Sequence, residues 1–135
     1  MEREPSQVWM VHRRTGPEGQ KGELALESGR VVFSPTGGAD PTVFPFEDIR
    51  GARRVIGSPV LELRLASRRE FRMVGFYFIQ PPSLDPSDGT GRVMKRRAAR
   101  KTAVVKLRTW NVLKKDEIRD WVRELRPLLR GEPPA

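Results

Sequence analysis

Residues 22–35, GELALESGRVVFSP, decide the fold class. Leu24 and Leu26 fall on one side of an extended chain, with Glu23, Ala25 and Glu27 opposite, which is the period-2 signature of a half-buried strand. Ser28-Gly29 then supplies a two-residue turn into RVVFS, so the segment predicts a β-hairpin. Upstream, QVWMVH (7–12) is β-branched and aromatic, and TGPEGQKG is a loop by its glycines and proline. Downstream, PTGGADP is a loop, and TVFPF is a strand whose Pro45 marks an edge or an end. Glu47-Asp48-Ile49 makes a short turn into GARRVIG, and Gly57-Ser58-Pro59 leads to VLELRL. There Val60, Glu62 and Arg64 alternate with Leu61, Leu63 and Leu65, and REFRMVGFYFI closes the series. Residues 7–79 thus hold seven strand candidates. The expected inward residues are Trp9, Val11, Leu24, Leu26, Val32, Phe44, Ile49, Leu61, Leu63, Phe71 and Met73.

Pro81-Pro82 ends that run, and residues 80–102 form a Pro- and Gly-containing, then basic, linker or insertion. In KKDEIRDWVRELRPLLRG the apolar residues Ile118, Trp121, Val122, Leu125, Leu128 and Leu129 recur with helical spacing. Gly131 and Pro133 follow as stop signals. The same stripe continues backward through Lys114, Asn111, Trp110, Leu107, Val104 and Ala103, so one helix over 103–130 fits the pattern. TAVVKLRTW also suits a strand, with Asn111 capping a shorter helix, and both readings stand at this point.

The 135 residues suit one domain with a single core, of which 37% of residues are hydrophobic and 32% charged. The net charge is +9, and it is unevenly placed. GRVMKRRAARKTAVVKLRTWNVLKK (91–115) contains ten basic residues and no carboxylate, leaving 16 basic and 17 acidic residues elsewhere. With no cysteine, disulfide and thiol chemistry are excluded. Met73–Ile79 is too short an apolar run to span a bilayer, and MEREPSQ lacks the apolar core of a signal peptide. The expected location is cytoplasmic, with a peripheral position at a membrane left open. Twenty arginines against six lysines point to a bacterial source.

Seven strands followed by an amphipathic helix with a central tryptophan resemble the pleckstrin-homology-like superfold, including its GRAM-like and bacterial members. The resemblance rests on GELALESGRVVFSP, on TVFPFEDIRGARRV, and on EIRDWVRELRPLL with Trp121 in the family's tryptophan position. It implies a seven-stranded antiparallel β-barrel or sandwich capped by the helix, with Trp121 as structural anchor alongside Ile118 and Leu125. It covers residues 7–79 and about 112–130 and concerns the fold, which by itself assigns no activity. The family's phosphoinositide pocket flanks the first loop, where this chain offers Arg13, Arg14 and Lys21. Glu23 stands where further base is needed, and a carboxylate repels phosphate, so that specificity does not carry over.

Catalysis finds no support in the sequence. His12 is the single histidine, no Cys is present, and no G-x-S-x-G, P-loop or Rossmann pattern occurs. The expectation is a non-enzymatic binding or adaptor module with no cofactor, no metal and no small-molecule substrate. Its candidate anion-binding residues are Arg92, Lys95, Arg96, Arg97, Arg100, Lys101, Lys106 and Arg108. Ten uncompensated cations repel one another unless an anionic partner relieves them. A protein partner or an anionic membrane surface fits that demand. Non-specific nucleic-acid binding is the alternative, and so is a basic stretch that serves only as a solvated linker.

Overall fold

A computed structural model describes residues 3–16, 18–81 and 114–131. Seven strands appear, β1 Arg3–Val11, β2 Gln20–Glu27, β3 Arg30–Pro35, β4 Thr42–Pro45, β5 Ile49–Arg54, β6 Val60–Leu65 and β7 Met73–Tyr77. A 3-10 turn, Phe46–Asp48, links β4 to β5, and one helix, α1, spans 114–129. The strands form a single antiparallel sheet in the order β4-β3-β2-β1-β7-β6-β5. β4 and β5 are therefore its two edges, so the expected barrel is a sheet that does not close by hydrogen bonds.

The sheet nevertheless folds over on itself. In a flat sheet, three or four strand spacings would hold β3 and β4 about 14–19 Å from β7. Instead the Phe76 ring of β7 lies 6.1 Å from that of Phe33 on β3 and 6.0 Å, edge-on, from that of Phe44 on β4. Val8, Leu24, Val31, Leu61, Leu63 and Val74 fill the space between the two halves, all fully buried. Ile118, Trp121 and Leu125 of α1 plug the remaining opening and have no solvent exposure. The Trp121 indole Nε1–H donates to Ser6 Oγ on β1 (3.0 Å), and the Ser6 hydroxyl donates in turn to Glu117 Oε1 (3.0 Å). A buried indole N–H without an acceptor is costly, so this link fixes the rotation of the helix on the sheet.

The hairpin of residues 22–35 forms as expected, pairing Leu24 with Phe33 and Leu26 with Val31, with Gly29 at φ +76 in the turn. α1 ends at Gly131, whose N–H donates to Leu128 O with φ +82, a left-handed helix stop. The expected helix segment 103–113 and the rival strand there lie outside the described residues. Two strand phases differ from expectation. On β1, Val8 and Met10 are buried, while Trp9 and Val11 are only half-buried. On β7, Val74 and Phe76 point inward, Met73 is exposed, and Phe71 is only partly buried before the strand begins. In both segments large apolar side chains occupy both phases, so alternation cannot choose. Outside the core Trp9 lies opposite Tyr77 and carries the Lys21 ammonium over its ring at 5.8 Å.

Asp48 closes the crossover from one half of the sheet to the other. Its side chain is buried, accepts from the guanidiniums of Arg68 (Nε at 2.7 Å) and Arg69 (3.4 Å), and its backbone O accepts from Ala66 N–H at 2.8 Å. Arg69 also donates to Val43 O (3.3 Å) and lies 5.2 Å from the Phe44 ring. The β6–β7 connection is thereby tied to β4. The Arg68 hydrogen bond, opposed by burial and aided by the charges of Arg68 and Arg69, holds the Asp48 carboxyl below its ordinary range. A lowered carboxylate stabilises the fold above its unfolded pKa, near 4, and that contribution is lost as pH falls through the folded value. Asp48→Asn is therefore expected to melt lower than wild type above about pH 5, with the two converging below about pH 4. Thermal melts across that range check it, and a gap that persists unchanged in acid would remove Asp48 as the cause.

Candidate functional site

Charge on the described surface is not spread evenly. β5 and β6 contribute Arg50, Arg53, Arg54 and Arg64, and α1 with the turn that follows it contributes Arg119, Arg123, Arg126 and Arg130. α1 runs alongside the β5 edge, because the Arg126 Nε–H donates to Ala52 O at 3.1 Å. That bond occupies a carbonyl on the outer side of an edge strand, which limits unwanted strand pairing there. Between the edge and the helix lies a groove of about 590 Å³, lined by Arg50, Arg53, Arg64, Arg126 and Arg130, by the carboxylate of Glu62, and by Met73 and Leu129 as apolar wall. A second hollow, about 440 Å³, lies between Arg53 and Arg54 on one side and Arg119, Val122, Arg123 and Arg126 on the other.

The electrostatics of the groove follow from what each guanidinium touches. Arg53 donates to Glu62 Oε1 at 2.7 Å and is paired. Arg50 donates to Glu47 O (2.6 Å), Arg64 to Arg50 O (3.3 Å) and Arg126 to Ala52 O (3.1 Å). These three cations are held by neutral carbonyls, with no carboxylate partner among the described residues. A carbonyl fixes the position of a guanidinium without cancelling its charge. Each planar fork keeps further N–H donors for a carboxylate or phosphate. Within the groove, Arg50, Arg64 and Arg126 are thus oriented donors without a carboxylate partner among the described residues, beside the paired Arg53 and Glu62 and an apolar wall.

Other sequence candidates fare differently. Arg92, Lys95, Arg96, Arg97, Arg100, Lys101, Lys106 and Arg108 all lie outside the described residues. The chain leaves the sheet after Tyr77, is described as far as Pro81, and is described again from residue 114. Trp121 is the buried anchor described above. In the first loop Arg14 is ion-paired to Glu70 and Glu23 is exposed on β2. His12 stacks on Phe71 (4.0 Å, 10°), its Nδ1 accepts the Arg14 backbone N–H (3.1 Å), and burial pushes its pKa below the ordinary value. Arg14 acts in the same sense as burial and Glu70 opposes it. A small cleft of about 400 Å³ lies there, lined by His12, Thr42, Arg68, Arg69, Glu70 and Phe71, and its arginines are the pair already held by Asp48. Among the described residues no group of His, Asp and Glu is placed to hold a metal ion, and no helix is long and apolar enough to cross a membrane.

Sequence reasoning missed the groove because the body sums to near neutrality. Two signals were present. Residues 49–61 hold three arginines and no carboxylate, and Arg119, Arg123, Arg126 and Arg130, spaced by four, three and four, share one helical face. No family model matches the chain, and no curated protein matches it in sequence.

Proposed function

We propose that this chain is a non-enzymatic docking module for an anionic surface, with the β5–α1 groove as its ordered contact and the basic segment 91–115 adding long-range attraction. The observation that carries the reading is the set Arg50, Arg64 and Arg126, each held by a main-chain carbonyl and without a carboxylate partner among the described residues. Orienting a guanidinium before the partner arrives lowers the ordering cost of binding. Leaving it uncompensated has an electrostatic cost in the free protein that an anion relieves. The pleckstrin-homology-like resemblance agrees with a binding role and does not choose the partner.

Co-sedimentation with anionic and zwitterionic vesicles, together with titration of poly-glutamate and mixed-sequence DNA, tests the reading at low and physiological salt. Wild type is expected to bind the anionic partners with a steep salt dependence. At about 1 kcal/mol for each well-placed arginine, the triple variant Arg50→Gln/Arg64→Gln/Arg126→Gln should bind roughly 100-fold more weakly at low salt. Replacing Arg96, Arg97, Arg100 and Lys101 with Gln should reduce the salt slope while leaving the groove contact in place. DNA bound more tightly than vesicles or poly-glutamate would move the protein to a nucleic-acid role. Equal binding to zwitterionic and anionic vesicles, or no loss in the triple variant, would overturn the groove as the site.

A further inference from the structure

We infer that the β5–β6 hairpin tip is a membrane-contact device, in which Ile56 enters an anionic lipid surface and the surrounding arginines engage its headgroups. The inference rests on the docking reading above and names its partner. Ile56 is 91% exposed and, with Met73, is one of two large apolar side chains exposed among the described residues. A lone exposed apolar residue ordinarily requires no explanation. Ile56 differs in where it is held and in what surrounds it. The Ser58 N–H closes onto Val55 O (3.2 Å) and Gly57 takes φ +80, the pattern of a type II turn with Ile56 in its first central position. Val55 N–H bonds to Val60 O (3.0 Å), so the apex is fixed to both strands. The turn geometry requires Gly57 but does not require isoleucine before it.

Arg53 and Arg54 precede Ile56 by three and two positions, about 7–10 Å along an extended chain. They share a hollow with Arg119 and Arg123 of α1; Arg53 is paired with Glu62 and Arg123 with Asp120, and their side chains are still 65% and 78% exposed. The tip therefore has an apolar apex with cations a layer behind it. That depth matches the roughly 5–10 Å over which a bilayer interface passes from headgroup to acyl chain. A flat acidic protein surface has no such layering. The ends of the described chain agree with this orientation. The Phe78 N–H donates to Pro59 O (2.9 Å) beside the tip, just after β7 ends and three residues before Pro81, the last residue described on this side. At the return, Glu117 near the start of α1 bonds to Ser6, at the same end of β1. The described residues on either side of 82–113 thus both lie toward the end of the sheet that bears Ile56.

The test compares wild type, Ile56→Ser and Ile56→Trp on phosphatidylcholine vesicles with and without phosphatidylserine, and on poly-glutamate. Ile56→Ser is expected to lower partition onto the anionic vesicles roughly tenfold while leaving poly-glutamate binding unchanged. Ile56→Trp should show emission quenched by brominated lipid beyond the wild-type level. If partition is unaffected by Ile56→Ser and the new Trp is not quenched, the tip inference is wrong while anionic docking stands. Equal loss of poly-glutamate binding in Ile56→Ser would place the tip in a protein interface and overturn the lipid assignment. If wild type binds neither vesicles nor poly-glutamate, the docking reading fails and the tip assignment falls with it.

Discussion

Trp121→Ala is expected to destabilise the fold by about 3–5 kcal/mol, the range for truncating a fully buried large aromatic residue. Trp121 is the largest fully buried side chain, lying between Ile118 and Leu125 where the helix meets the sheet. Its removal opens a cavity at the one place where α1 fills the space between the sheet halves, and it breaks the indole bond to Ser6. A loss of that size is a large part of the stability of an ordinary small domain. Trp121→Phe separates the two contributions, because it retains most of the volume and gives up the N–H. It should cost less than the alanine variant, with the hydrogen-bond part on the order of 1 kcal/mol. Guanidinium denaturation followed by circular dichroism measures both. An alanine variant within about 0.5 kcal/mol of wild type would show that the helix is not anchored through this residue.

Gly22→Ala should be the second most damaging single change, although it adds one methyl group. A Cβ at this position of β2 would lie 2.4 Å from the Ser34 backbone O and 2.7 Å from the ring of Phe33, a fully buried core residue. Neither neighbour can move cheaply. The carbonyl belongs to the paired strand β3, and the ring packs against Phe76. Overpacking of this kind costs about 1–3 kcal/mol and occasionally more. Gly51→Ala on β5 is the matched control. Its Cβ would meet only the outer end of the Arg64 side chain, at 3.4 Å or more, which can swing aside. Melting the two variants side by side separates the clash from the general effect of replacing glycine in a strand. Equal stabilities would mean that β2 and β3 adjust freely at this crossing.

The residues that made the fold legible are those whose pattern admits one solution. Leu24 and Leu26 alternate with charge, Leu61, Leu63 and Leu65 alternate with Glu62 and Arg64, and Ile118, Trp121 and Leu125 recur at helical spacing. In each case the buried face is the one the pattern demands. β1 and β7 were not legible in phase because Val8, Trp9, Met10 and Val11, and again Met73, Val74, Phe76 and Tyr77, are apolar on both sides. Their register is set by pairing with β2 and β6 and by the Phe76 contacts to Phe33 and Phe44, all of them long-range. The importance of Gly22 is of the same kind, since nothing in Lys21-Gly22-Glu23 tells of a phenylalanine ring eleven residues away lying on the glycine. Asp48 was legible as part of a short turn but not as the partner of Arg68 and Arg69, some twenty residues on. The groove is intermediate. Its helical arginines share a face that spacing alone reveals, whereas their meeting with Arg50 and Arg64 depends on α1 lying along the β5 edge.

The bond between Ser6 and Trp121 spans 115 positions of the chain, and this separation imposes an order in time. A ribosome adding roughly 5–20 residues per second would need about 6–23 s to go from one partner to the other. Through that interval the strands can pair, but the apolar lining formed by Val8, Leu24 and Leu61 has no lid. The newborn sheet is then a candidate for capture by a chaperone, and it has two unpaired edges, β4 and β5, open to neighbouring chains. Arg126, which later caps the β5 edge, is synthesised only after the helical lid has begun to emerge. Aggregation during expression should therefore depend on how quickly the last helix arrives, and co-expressing residues 114–131 as a separate peptide would relieve it if that delay is the cause.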